Sequence, residues 1–173
     1  MRLAGRVSAA IEILDEIFNR RRPASEALKD WGKAHRFAGS GDRHAIGTLV
    51  YDALRQRNSL GFRMDAETSR ALALAALKFV WKLETEVIAE TIKERFGPGE
   101  LTKEERSHLS KPRDISSAPP HIAGDFPEWL TPSFKRAFGE GAAEEGRALA
   151  RRAPIDLRVN ALKAQRHEVI ECL

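Results

Sequence analysis

Residues 67–83 constrain this chain more than any other stretch. Leu72, Ala75, Ala76, Phe79, Val80 and Leu83 recur at helical spacing on one side, and Leu74, Leu77 and Trp81 widen the stripe. A helix that is apolar over so much of its circumference has to be surrounded by other elements. The pattern therefore predicts a central helix beginning near Glu67–Thr68, with amphipathic helices packed around it.

The flanking sequence supplies those helices. Leu3, Val7, Ala10, Ile11, Leu14, Ile17 and Phe18 mark one face of a first helix over 3–20. Pro23 interrupts the pattern and can open a second, in which Ala27, Leu28, Trp31 and Ala34 continue the period to about Phe37. Gly39-Ser40-Gly41-Asp42 is a turn and cap cluster, and Ser40 or Asp42 is expected to accept the first free N–H groups of a third helix. That helix buries Ile46, Leu49, Val50, Ala53 and Leu54 and is expected to reach about Asn58. A fifth covers about 85–95, with Val87, Ile88, Thr91, Ile92 and Phe96 facing inward, and Gly97-Pro98-Gly99 ends it. Thr102-Lys103-Glu104-Glu105 has the capping-box pattern of a short sixth helix.

The texture changes beyond residue 110. Ser110-Lys111-Pro112 and Ser116-Ser117-Ala118-Pro119-Pro120 carry no periodic core pattern, which reads as a linker or an extended strap over the bundle. Pro127-Glu128-Trp129-Leu130 opens a helix expected to bury Trp129, Leu130, Phe134 and Phe138. Gly139 to Gly141 break it, and an Ala- and Arg-rich helix follows to about Arg152. Asp156-Leu157-Arg158-Val159-Asn160-Ala161 alternates with a period of two, a strand signal, and Glu168, Val169 and Ile170 begin another helix. A lone strand cannot satisfy its own backbone, and no second strand is legible. The expectation is an unfinished α/β module, with an arm lying on the bundle or pairing with another molecule as the alternative. The fold class is thus all-α: a helical bundle, two further helices and the first strand of an incomplete module. The expected division is 1–112, a linker over 113–126, and 127–173.

Charge is unevenly placed. Residues 1–63 hold 12 Lys/Arg against 7 Asp/Glu, whereas residues 64–125 hold 9 against 11. A basic front third points to an anionic partner such as nucleic acid, or else to a solvated helix surface. No run of apolar residues is long enough to span a membrane, the start lacks a signal peptide's apolar region, and the single cysteine, Cys172, excludes an internal disulfide or cysteine-based zinc site. The chain reads as cytoplasmic and monomeric.

Several basic residues are candidate contacts. Arg20-Arg21-Arg22 complements the dipole at the end of the first helix or touches phosphate. Arg43 and His44 sit in the first turn of the third helix, where the dipole disfavours each cation by roughly 0.3–1 kcal/mol. Asp42, a carboxylate from another helix, or a bound phosphate would offset that cost. Arg55 and Arg57, with Gln56 and Asn58, offer donors for a phosphate track or form a solvated helix end. His35 and Arg36 precede Phe37, an aromatic expected in the core. The candidate RNA-contacting set is Arg2, Arg6, Arg36, Arg43, His44, Arg55, Arg57, Arg158 and Lys163. No glycine-rich loop follows a strand, the five histidines lack metal-ligand spacing, and no catalytic, cofactor-binding or metal-binding residue is expected.

Three segments resemble a known family. Gly41-Asp42-Arg43-His44-Ala45-Ile46-Gly47-Thr48-Leu49-Val50-Tyr51-Asp52-Ala53-Leu54-Arg55 resembles the third-helix signature of NusB-like domains. Pro120 to Leu130 (PHIAGDFPEWL) and Arg152 to Lys163 (RAPIDLRVNALK) are similar to the RsmB/Sun family of ribosomal RNA cytosine-C5 methyltransferases. The resemblance implies a NusB-like RNA-binding domain over 1–112, then the start of the module preceding a methyl-transfer domain. It also implies small-subunit ribosomal RNA as partner and S-adenosylmethionine as cofactor of the complete enzyme. The family's Pro-Cys nucleophile motif has no counterpart here, and Cys172 does not match it. By this resemblance the chain pairs with its own absent methyl-transfer domain and is inactive alone. A stand-alone NusB-like antitermination factor and a protein-interaction bundle are the other readings.

Overall fold

Apolar periodicity produces the expected layers of helix on helix. The computed structural model describes residues 1–154 and 156–172. The bundle comprises α1 (Leu3–Arg20), α2 (Ala24–Ala34), α3 (Ser40–Arg55), α4 (Arg57–Met64), α5 (Ser69–Ala75), α6 (Thr85–Ile92) and α7 (Lys103–Ser110). After them come α8 (Pro120–Ala123), α9 (Thr131–Phe138), α10 (Ala142–Leu149) and α11 (Arg166–Glu171). No strand forms among the described residues.

The centre is α5, as its breadth of apolar surface demands. Ala71 through Leu77 are all buried, and α1, α3, α4 and α7 pack around this helix. Leu72, Leu74 and Leu77 meet Ile13, Leu14, Ile46, Leu49, Leu60, Ile88, Ile92 and Leu109 in one core. Each such side chain contributes about 1.5–3 kcal/mol relative to exposure. Thr68 caps α5 by accepting the Ala71 N–H at 3.1 Å. At α7, Thr102 and Glu105 form the expected capping box.

Several expectations are corrected. The central helix does not continue uniformly to Leu83: it widens into a π-helical turn over Ala76–Val80, where Trp81 N–H reaches Ala76 O at 2.9 Å and Lys82 takes φ 61°. The wide turn lets Trp81 Nε1 donate to Asp52 at 2.9 Å. The third helix ends at Arg55, because Gln56 leaves helical geometry (φ −116°, ψ 28°), and the unforeseen α4 starts one residue later. Neither Ser40 nor Asp42 caps α3; Gly39 occupies that position without a side-chain bond. Val87 and Phe96, expected inside, are exposed. The strand expected at 156–161 is a largely exposed irregular segment, since no neighbouring strand is present among the described residues to accept its hydrogen bonds.

Residues 113–126 pack against the bundle. Arg113 pairs with Asp65 at 2.5 Å, and Asp114 caps a 3-10 turn at Ile115–Ser117. Asn58 Nδ2 donates to Phe126 O at 3.0 Å, while Asp125 accepts from Ser59 N–H at 2.8 Å and Ser59 Oγ at 2.6 Å. Phe126 is buried and stacks on Phe134 with centroids 4.2 Å apart. A Cβ at Gly146 would fall 2.5 Å from the Phe126 ring and 2.6 Å from Gly124 O, so only glycine lets α10 approach α8 this closely. Pro127 leads through a 3-10 turn into α9, leaving Trp129 76% exposed and Phe138 exposed rather than buried.

Candidate nucleic-acid interface

The front of the bundle carries an open groove of about 790 Å³ between the start of α1, the end of α2 and the segment after α6. Its floor follows from small residues on α1. Gly5 and Ala9 let the 94–96 segment come close, and Ser8 Oγ donates to Phe96 O at 2.8 Å. Glu12 accepts from Trp31 Nε1 at 3.0 Å, fixing the indole. His35 stacks on Trp31 with centroids 4.2 Å apart, and Phe37 meets His35 edge-on at 5.7 Å.

Phe37 and Phe96 are each 72% exposed. For Phe37 the reason is local: α2 stops at Ala34, and Ala38 takes the buried position that the helical period would have given to the ring. For Phe96 it is the backbone, which adopts φ 72°, a conformation rare for an aromatic residue. Gly97 makes that turn possible, since a Cβ there would collide with Ile92 O. Arg70 then holds the loop from beneath, donating to Glu105 at 2.7 Å, Pro98 O at 2.5 Å and Glu100 O at 2.7 Å. The Arg95 guanidinium lies 4.6 Å from the Phe96 ring centre.

The sequence candidates distribute around this groove and beyond it. Arg2 lines it and reaches Glu94 at 3.5 Å with its side chain largely in solvent. Arg6 pairs with Asp42 at 2.8 Å, and Asp42 also receives the Met1 amino group at 2.9 Å. The amino group first, and Arg6 second, hold the Asp42 carboxyl below the usual carboxylate range. Arg43 donates to Ala38 O at 2.9 Å and lies over Gly32, while His44 and Arg36 are exposed. Arg55 pairs with Asp52 at 2.9 Å. Arg57 pairs with Glu67 at 2.9 Å and covers the Phe18 ring at 4.6 Å. Arg158 and Lys163 are exposed on the segment between α10 and α11. In the arginine run, Arg20 pairs with Glu16 and Arg22 with Asp30.

The groove's aromatic members are largely illegible in the sequence. Phe37 and Phe96 read as core because both continue an apolar period, and only Gly97-Pro98-Gly99 hints that the chain turns sharply after Phe96. Among the described residues no group of three or more His, Cys, Asp or Glu is placed to hold a metal ion, and no helix is long and apolar enough to cross a membrane.

Comparison with known families bears on the other end of the chain. Residues 126–173 match the ferredoxin-like domain of RsmF/B-like methyltransferases. This part of the chain is thereby related to the RsmF/RsmB methyltransferases, in agreement with the motifs at Pro127–Leu130 and Arg158–Lys163. No curated protein and no solved structure matches the chain.

Proposed function

We propose that this chain is the RNA-positioning region of an S-adenosylmethionine-dependent ribosomal RNA (cytosine-C5) methyltransferase acting in the cytoplasm, with a NusB-like helical domain in front. The match of residues 126–173 supports the methyltransferase part. The groove supports the RNA part. Two rings 72% exposed, flanked by Arg2 and Arg95, suit unpaired bases, which stack on aromatic faces and guanidinium planes. The cytosine chemistry and the methyl donor belong to a methyl-transfer domain. The stand-alone antitermination factor is the weaker reading, because the matched segment belongs to a methyltransferase family.

Filter binding with single-stranded ribosomal RNA fragments tests the RNA reading. Salt-sensitive affinity is expected, lowered in Phe37→Ala and Phe96→Ala; absence of binding at low salt overturns it. Incubation of this chain with radiolabelled S-adenosylmethionine and ribosomal RNA should give no methyl transfer, and measurable turnover would overturn the domain assignment.

A further inference from the structure

A second concave site lies between α4, the π turn after α5 and α10, with a volume of about 340 Å³. Arg63, Lys82, Arg147 and Arg151 line it, and Asp125 is the one carboxylate among the lining residues. None of these four cations makes an ion pair with another described residue, as is also true of Arg36, Arg43 and Arg95, but only here do four such cations line one cavity among those described. Asp125, whose oxygens accept from Ser59 N–H and Ser59 Oγ, offsets only part of that charge through its attraction to Arg63 and Arg147.

The surrounding structure holds three of these cations at the cleft. Arg63 is half-buried and lies 5.0 Å over the Phe79 ring. Arg147 Nε donates to Ala123 O at 3.4 Å, which keeps its terminal nitrogens available. Lys82 is carried into the rim by its own left-handed backbone, at the end of the π turn. Gathering four cations around one cleft, with Arg63 partly desolvated, costs free energy that a bound anion would offset. Consistently, burial first and the Arg147 charge second lower the affinity of Arg63 for its proton.

We infer that this cleft is a phosphate-binding site that grips the backbone of the RNA whose bases occupy the front groove. Guanidinium groups match phosphate oxygens in bidentate geometry, and four cations with no stacking ring exposed among them suit a backbone rather than a base. The RNA identity rests on the proposed function; the phosphate chemistry does not.

The experiment compares the chain with R147Q/R151Q, two exposed positions whose substitution leaves the core intact, and with R63Q/R147Q. Circular dichroism and thermal melting verify folding. With single-stranded RNA, R147Q/R151Q should bind about tenfold more weakly, and the slope of log affinity against log salt should flatten by about 1 for each phosphate no longer neutralised. With inorganic phosphate or pyrophosphate, the parent chain should be stabilised and R63Q/R147Q should not. An unchanged slope together with unchanged phosphate stabilisation overturns the cleft while leaving RNA binding in the groove intact. Phosphate stabilisation that disappears in R63Q/R147Q, without RNA affinity in the parent, supports the anion site and overturns the RNA reading.

Discussion

One carboxylate stands beside the front groove, bound to Met1 of its lining, another lines the cleft between α4 and α10, and the two behave oppositely. Asp42, at the groove's edge, receives the Met1 amino group and Arg6, and its pKa is depressed. Asp125, at the cleft, is half-buried, accepts hydrogen bonds from the neutral Ser59, and its pKa is raised by desolvation first of all. Beside the groove, the Met1 amino group and Arg6 are used in holding the protein together, and the exposed surface is aromatic. At the cleft, four cations that make no ion pair face a single carboxylate, and the aromatic ring of Phe79 lies beneath Arg63. The first arrangement suits stacking and the second suits backbone phosphate.

The largest expected effect is at the groove. Each stacked base is worth about 1–3 kcal/mol by alanine substitution, so F37A/F96A should lose RNA affinity by one to several orders of magnitude with little change in stability. Calorimetric titration alongside urea unfolding separates the two; equal losses in both would mean that the rings are structural. Next is Gly146→Ala, whose methyl group has to displace Phe126 or the Gly124 carbonyl. Overpacking of this kind costs about 1–3 kcal/mol, read as a lower urea midpoint, and it should widen the cleft and weaken phosphate binding together.

Asp125→Ala strands the buried Ser59 N–H, at about 1–3 kcal/mol, whereas Asp125→Asn should cost less because one oxygen remains. The pH dependences should also differ in sign. Because the folded pKa of Asp125 is raised, its charged form opposes folding above the usual carboxylate range, and that penalty fades as the pH falls through the raised value. Because that of Asp42 is lowered, its contribution is complete above the usual range and is lost as the pH falls through the lower folded value. Acid titration of stability in Asp42→Asn and Asp125→Asn checks both signs. The smallest effect is Arg57→Ala, whose exposed pair with Glu67 is worth about 0.2–1 kcal/mol.

The bundle is legible in the sequence where periodicity and capping act together. The span of α1, the burial of α5 and the Thr102 capping box all follow from local pattern. Pattern misleads where one backbone residue redirects the chain. Gln56 separates α3 from α4 without a glycine or proline to mark the break, and Phe96 leaves the apolar face through a left-handed φ. The cleft is illegible for another reason: Arg63, Lys82 and the pair Arg147 and Arg151 come from three segments distant in sequence, which only the fold brings together. The alternation at 156–161 is real as a pattern, but a pattern makes a strand only beside another strand.

Salt titration of RNA binding, run in parallel on the parent chain, F37A/F96A and R147Q/R151Q, tests the division between stacking groove and phosphate cleft most directly. The expected result is a linear fall of log affinity with log salt for the parent, a parallel line at lower affinity for the groove variant, and a flatter line for the cleft variant. A parent chain that does not bind RNA at low salt, or variants that leave its line where it was, would contradict that division.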